Sequence, residues 1–271
     1  MLAAAVLFST GGAAIKGNAF TAWQVASFRC FIAAFALLLF VPSSRRGWSW
    51  RLLPAALAYA VTLILFPLAA KLTSSANAIF LQSTSPAYLI LLSPWLLKEK
   101  VERKDLLLLF GVTVGMTFCF GAPQDATAIA PNPALGNAIA LLSGVTWALT
   151  VVSLRRLRGS GTSSIVIGNF LAFALALPMA FPVAAVELRD VAILVYLGIF
   201  QIGLAYLCLT TALQHVPAFE ASVLLLLEPA LNPIWAWMIL REHPGNWVLF
   251  GGAVILSATV WNTWSKREHA H

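Results

Sequence analysis

Charge is scarce in this chain. Asp, Glu, Lys and Arg make up 10% of its 271 residues, against about 25% in a soluble globular domain. That shortage excludes an ordinary soluble fold, and 60% hydrophobic residues with a mean hydropathy of +0.86 point to an integral membrane protein. Cysteine is scarce too. Cys30, Cys119 and Cys208 are odd in number, lie inside apolar runs and lack metal-ligand spacing, so they read as buried inert thiols. No acidic pair falls within an apolar run, and His215, His243, His269 and His271 all fall in turns or the tail. A membrane-embedded enzyme, which needs a metal-binding acidic cluster or a histidine beside a nucleophile, is therefore a distant alternative. No catalytic residue, metal or cofactor is expected. No G-x-x-x-x-G-K-[ST] phosphate loop occurs, so ATP is not a direct driver, and no cleavable signal pattern is seen.

What is present is a series of apolar runs that reads as ten helices with limits Met1–Ile15, Thr21–Val41, Leu53–Ala70, Leu72–Leu97, Leu106–Phe120, Leu135–Leu154, Ser163–Val183, Val191–Leu213, Val216–Leu240 and Trp247–Trp264. The first run is about 15 residues, short of the ~20 needed to span. Either the native start is trimmed or this helix begins inside the membrane. The connections are short and leave no room for a soluble domain; the longest runs from Gly121 through GAPQDATAIAPNPA. Trp48, Trp50, Trp95, Trp261 and Trp264 flank the runs, as interface anchors do.

The net charge of +7 is not spread evenly. Alternate loops on one face carry twelve Lys and Arg, from Arg45, Arg46 and Arg51 to Lys266 and Arg267; the other face carries four, Lys16, Lys71, Arg189 and Arg241. The bundle thus has a basic face and a sparse face. The positive-inside rule then places both termini in the cytoplasm of a multi-pass protein, here of a bacterial inner membrane. The basic excess sets topology and implies no nucleic-acid partner; membrane lipid and a small-molecule substrate are the expected partners, and the chain is expected as a monomer or homodimer.

Self-comparison adds a repeat. With Pro86 placed over Pro229, the stretch ending LLKE at Glu99 lies without a gap over the stretch ending ILRE at Glu242. Helices 1–5 thus correspond to helices 6–10, residues 1–130 to residues 131–271. Five is odd, so the second copy enters the membrane upside down. Inverted repeats recur in secondary transporters, whose sites lie at the midplane between the repeats and are marked by broken helices.

LFSTGGAAIK near the start, ASFRC in helix 2, SANAIFLQSTSPAYLILL and LLKEK in helix 4, GNAIALLSGVTWALTVVSLRR in helix 6 and ASVLLLLEPALNPIWAW in helix 9 resemble the drug/metabolite transporter superfamily, in its EamA branch of ten-helix exporters. The resemblance implies an all-α basket, with helices 3, 4, 8 and 9 around a central cavity and helices 5 and 10 toward the outside. Within the family the pattern is nearest to amino-acid exporters of the YddG type, which move aromatic and other amino acids. The implied function is export of small organic solutes, amino acids first, by alternating access. Alternatives are a multidrug or other metabolite exporter of the same fold.

Glu228 is the most conspicuous single residue. It has no charged neighbour within seven positions on either side, and a charge at a helix centre in lipid costs roughly 2.5–3.5 kcal/mol on insertion scales. Its repeat counterpart is Ser85, and Glu220 matches Asn77 eight residues earlier, so each helix carries a polar side next to a proline, Pro86 or Pro229. Proline frees a carbonyl one turn back, which in a membrane needs protein or cavity water. These helices therefore read as kinked and lining a wet cavity. Glu228 then binds a substrate ammonium group, couples transport to protons, or anchors the structure by pairing with Arg29 or capping the break at Pro229. Arg29, the one basic residue within an apolar run, meets a substrate carboxylate, an internal partner or the outer interface. Further candidates for the lining are Asn77, Gln82 and Tyr88 in helix 4, Trp147 in helix 6, and Gln201 and Tyr206 in helix 8. Asn232 lies one turn beyond Glu228 and reads as a helix–helix hydrogen bond. Gly111 and Gly115 form a GxxxG pattern that serves packing within the chain or a homodimer contact.

Overall fold

Inside a bilayer the backbone must satisfy itself, which leaves an apolar run of this length one open-ended form, the helix. The computed structural model describes residues 1–96, 103–121, 130–156, 161–184, 186–212, 225 and 227–267. The basic residues Lys98, Lys100 and Arg158, the loop after Gly121, the His215 turn and Glu220 lie outside the described residues.

Ten spans result. The first is two helices, Leu2–Ser9 and Gly11–Lys16. The second is Ala22–Phe40 and the third Leu53–Leu72. The fourth is broken into Ser75–Gln82 and Ser85–Leu96, and the fifth is Arg103–Gly121. Spans six and seven are Pro133–Arg156 and Gly161–Ala176. The eighth passes from α-helix (Leu188–Tyr196) through a π-helical stretch (Leu197–Leu204) back to α-helix (Ala205–Ala212). Spans nine and ten include Leu227–Leu240 and Asn246–Arg267. Five stretches, Ala22–Phe40, Trp50–Leu72, Pro133–Ser153, Gly161–Met179 and Leu188–Leu209, are by length and composition able to cross a bilayer as they stand.

Local chemistry sets the ends. Thr21 and Gln24 form a capping box: Thr21 Oγ1 accepts from Gln24 N at 3.2 Å while Gln24 Oε1 accepts from Thr21 N at 3.0 Å. Ser74 Oγ accepts from Asn77 N at 3.1 Å and starts the fourth span. Pro86 stands at the second position of the half-helix beyond the break at Ser83 and Thr84, and Pro229 in the first turn of Leu227–Leu240; at a helix start the missing N–H is no loss.

The strongest packing pairs are spans 3 with 6, 5 with 10, 3 with 7 and 2 with 7; spans 2 with 8, 4 with 6, 1 with 9 and 1 with 8 also pack. Exchanging span n for span n+5 carries 2·7 and 5·10 onto themselves, 3·7 onto 2·8, 3·6 onto 1·8, and 4·6 onto 1·9. The GxxxG face of span 5 is taken up inside the chain. A Cβ at Gly111 would lie 2.5 Å from that of Ala258, and one at Gly115 would lie 2.5 Å from Ile255 Cγ1.

Two buried apolar clusters fill the bundle. One gathers Phe66, Ile79, Phe80, Leu108 and Ile255; the other gathers Phe8, Tyr59, Leu63, Ile165 and Tyr206. Large apolar side chains such as Phe40, Phe110 and Met238 stay exposed on the outside, as a surface wetted by lipid allows, and Trp50 and Trp264 are exposed at the basic end.

Candidate substrate cavity

Where the two apolar clusters meet, the spans enclose a cavity of about 300 Å³, at the lower edge of the range, about 300–1,000 Å³, usual for small-molecule sites. Phe66 and Ile79 reach it from one cluster, Phe8, Leu63 and Tyr206 from the other. Spans 3, 4, 8 and 9 supply most of its wall. Its polar groups come from seven spans: Arg29, Thr62, Gln82 with Ser83 and Ser85, Trp147, Gln201 with Tyr206, Glu228 and Thr259.

Arg29 is 2% exposed. Its Nη1 donates to Gln201 Oε1 at 3.3 Å and its Nη2 to the Leu63 carbonyl at 3.1 Å, while Nε has no partner among the described residues. Leu63 lies four residues before Pro67, so its carbonyl is the one the proline leaves without a helical partner. The guanidinium thus answers a backbone defect with a fixed donor. Gln201 sits in the π-helical stretch, a wider turn that often marks a functional position. Its amide also presses on span 1: a Cβ at Gly11 would lie 2.8 Å from Gln201 Nε2.

Opposite in sign, Glu228 is half-buried on the cavity wall and has no hydrogen bond or ion pair among the described residues. Its pairing with Arg29, one of the expected anchors, is not formed: the one ion pair found among the described residues joins Lys16 and Glu242. Tyr206 lies within electrostatic reach of both Arg29 and Glu228. Its ring meets those of Phe8 and Tyr59 edge to face, with centroids 5.0 and 5.1 Å apart. On the far wall Gln82 Nε2 donates to Ser143 Oγ at 2.7 Å, and Thr62 Oγ1 donates to Thr146 Oγ1 at 2.8 Å, so span 6 holds both polar side chains in place.

Of the side chains singled out in the sequence, Glu228, Gln82, Trp147, Gln201, Tyr206, Arg29, Pro86 and Pro229 meet at this cavity. Asn77 and Tyr88 lie outside its lining. Asn77 is buried in the first turn of Ser75–Gln82, well toward the sparse face, and Tyr88 leans on span 6, where a Cβ at Gly144 would lie 3.2 Å from its ring. Among the described residues Asn232 does not make the expected helix–helix hydrogen bond; its amide N and O both lack a partner there. Phe8, Thr62, Ser83 and Thr259 reach the cavity without having been foreseen. A polar residue mid-span was the available signal for three of them, and Phe8 gave none.

The family model described as the EamA-like transporter family matches residues 1–121 and again residues 134–264. The chain is 26% identical over 220 residues to an uncharacterized transporter of Clostridium kluyveri, covering 78% of this chain and 71% of that protein. It is 28% identical over 189 residues to the pseudopaline exporter CntI of Pseudomonas aeruginosa, covering 68% of this chain and 64% of that one. The uncharacterized transporter YetK of Bacillus subtilis is 26% identical over 72% of this chain and 62% of its own. The chain thus spans less than two thirds of two of these three relatives. A solved crystal structure superposes with a TM-score of 0.66 over 99% of this chain and 96% of that one at 18% identity, a likeness of fold.

Proposed function

The chain belongs to the EamA-like transporter family, whose relatives are transporters rather than enzymes, and from that premise we propose that it exports amino acids, aromatic ones among them, by alternating access around the midplane cavity. The observation that carries this reading is Glu228: a carboxylate with no partner among the described residues, on the wall of a cavity that also holds a fixed guanidinium and aromatic rings. The carboxylate attracts a substrate ammonium group, Arg29 attracts the carboxylate, and Trp147, Tyr206 and Phe8 face the side chain. A single cation among the described cavity-lining residues suits a carboxylate better than a phosphate dianion. In this reading residues 1–130 and 131–271 are inverted repeats that rock about the cavity, and the packing pairs that interchange with span n and span n+5 support it. The basic face lies in the cytoplasm with both termini, at a bacterial inner membrane.

Export of another metabolite is the second reading, favoured by the relative that exports pseudopaline. Counterflow in proteoliposomes separates the two: amino acids drive entry of labelled L-phenylalanine, and non-amino-acid solutes do not. Glu228→Gln is expected to cut that counterflow at least tenfold or to flatten its dependence on pH. Unchanged counterflow at every pH removes Glu228 from the mechanism, and a panel in which no amino acid drives exchange removes the amino-acid reading.

A further inference from the structure

We propose that the buried Lys16–Glu242 ion pair is the latch of the sparse face, and that it parts when the cavity opens on that side. This rests on the alternating-access reading but not on the identity of the solute. Lys16 Nζ donates to Glu242 Oε2 at 3.1 Å, with the two side chains 3% and 7% exposed. The other oxygen, Oε1, accepts from the backbone N–H of Ser75 at 2.8 Å, at the positive end of the half-helix Ser75–Gln82. One carboxylate therefore joins spans 1, 4 and 9, each of which sends residues to the cavity wall.

The chain is shaped to place that carboxylate. Arg241 adopts a left-handed backbone, φ 56°, unusual for a residue with a Cβ. The turn brings Glu242 N–H back to Ala236 O at 3.3 Å and its side chain into the bundle. Gly12 lets the helices close tightly: a Cβ there would lie 2.6 Å from Asn232 Nδ2 and 2.9 Å from Ser75 Oγ.

The same layer is not fully satisfied. Ser75 Oγ, Asn77 Oδ1 and both polar atoms of the Asn232 amide are buried without hydrogen-bond partners among the described residues. Unpartnered buried polar groups carry their full desolvation cost, and a buried ion pair gains little net stability over two hydrated ions. Water entering this layer offsets both at once. Closure and opening are thereby brought near balance, as a two-state gate requires. Asn232 and Ser75 do not line the cavity, so they become wet only when the layer itself opens.

The test places Ser75→Cys in a chain with Cys30, Cys119 and Cys208 replaced by alanine, in nanodiscs, and measures labelling by a membrane-impermeant maleimide. Lys16→Met and Glu242→Gln, each alone, are expected to raise the labelling rate about tenfold; either one carries the test if the other does not fold. Ser163→Cys, buried at the basic face, is the control and is expected to label at an unchanged rate. Lys16→Arg, which keeps the pair, leaves Ser75→Cys protected. An unchanged rate at Ser75→Cys, or a rise at Ser163→Cys of the same size, overturns the latch. L-phenylalanine counterflow is run on the reference chain in parallel. Absent counterflow with the labelling pattern intact removes the amino-acid reading and leaves the latch standing.

Discussion

Arg29 carries its charge at the middle of a span, and what holds it is a backbone carbonyl and an amide rather than a carboxylate. Fork geometry matters here, because the guanidinium reaches Gln201 and the Leu63 carbonyl with two different nitrogens. A lysine at this position keeps the charge but cannot serve both at once. Arg29→Lys is therefore expected to lower amino-acid counterflow at least tenfold while the purified protein still melts cooperatively; counterflow within twofold of the parent places Arg29 outside the solute site. The sequence marked Arg29 and Glu228 as the two mid-span charges of opposite sign. It could not say that they stay apart, because pairing depends on the turn of two helices seven spans apart in the chain. Pro67, which leaves the Leu63 carbonyl without a helical partner, is the unread feature of the sequence that bears on Arg29's partner.

Among the elements, spans 5 and 10 meet in a close seam. Gly115 faces Gly251 and Ile255 so closely that a Cβ would sit 2.7 Å from the Gly251 carbonyl. Overpacking of such a seam costs about 1–3 kcal/mol. Gly115→Val is expected to destabilise the protein by that amount in thermal unfolding while leaving its oligomeric state unchanged. A shift in oligomer distribution without loss of stability puts this face between copies of the chain instead. Helix breaks were only partly legible. Pro86 announced the break in span 4. The break at Thr10 in span 1 and the π-helical stretch of span 8 carry no proline, and Gly11, Gly12, Gly198 and Gly203 mark them only once their close neighbours are known.

For the whole molecule, the number of spans and their all-helical class come from apolar run length, because lipid leaves the backbone so few choices. The position of the cavity was foreshadowed by prolines and polar residues at matched depth in spans 4 and 9. Which of them face inward was not, since that depends on how ten helices rotate against each other. Alternating access requires that one wet cavity at the midplane open to each side in turn. Ser83→Cys tests this most directly: Ser83 lines the cavity, and the change replaces one oxygen by sulfur. In a chain lacking Cys30, Cys119 and Cys208, oriented in vesicles, this cysteine is predicted to react with impermeant maleimide applied from either face alone, and L-phenylalanine is predicted to slow both reactions. Reaction from one face only, or from neither, contradicts the mechanism.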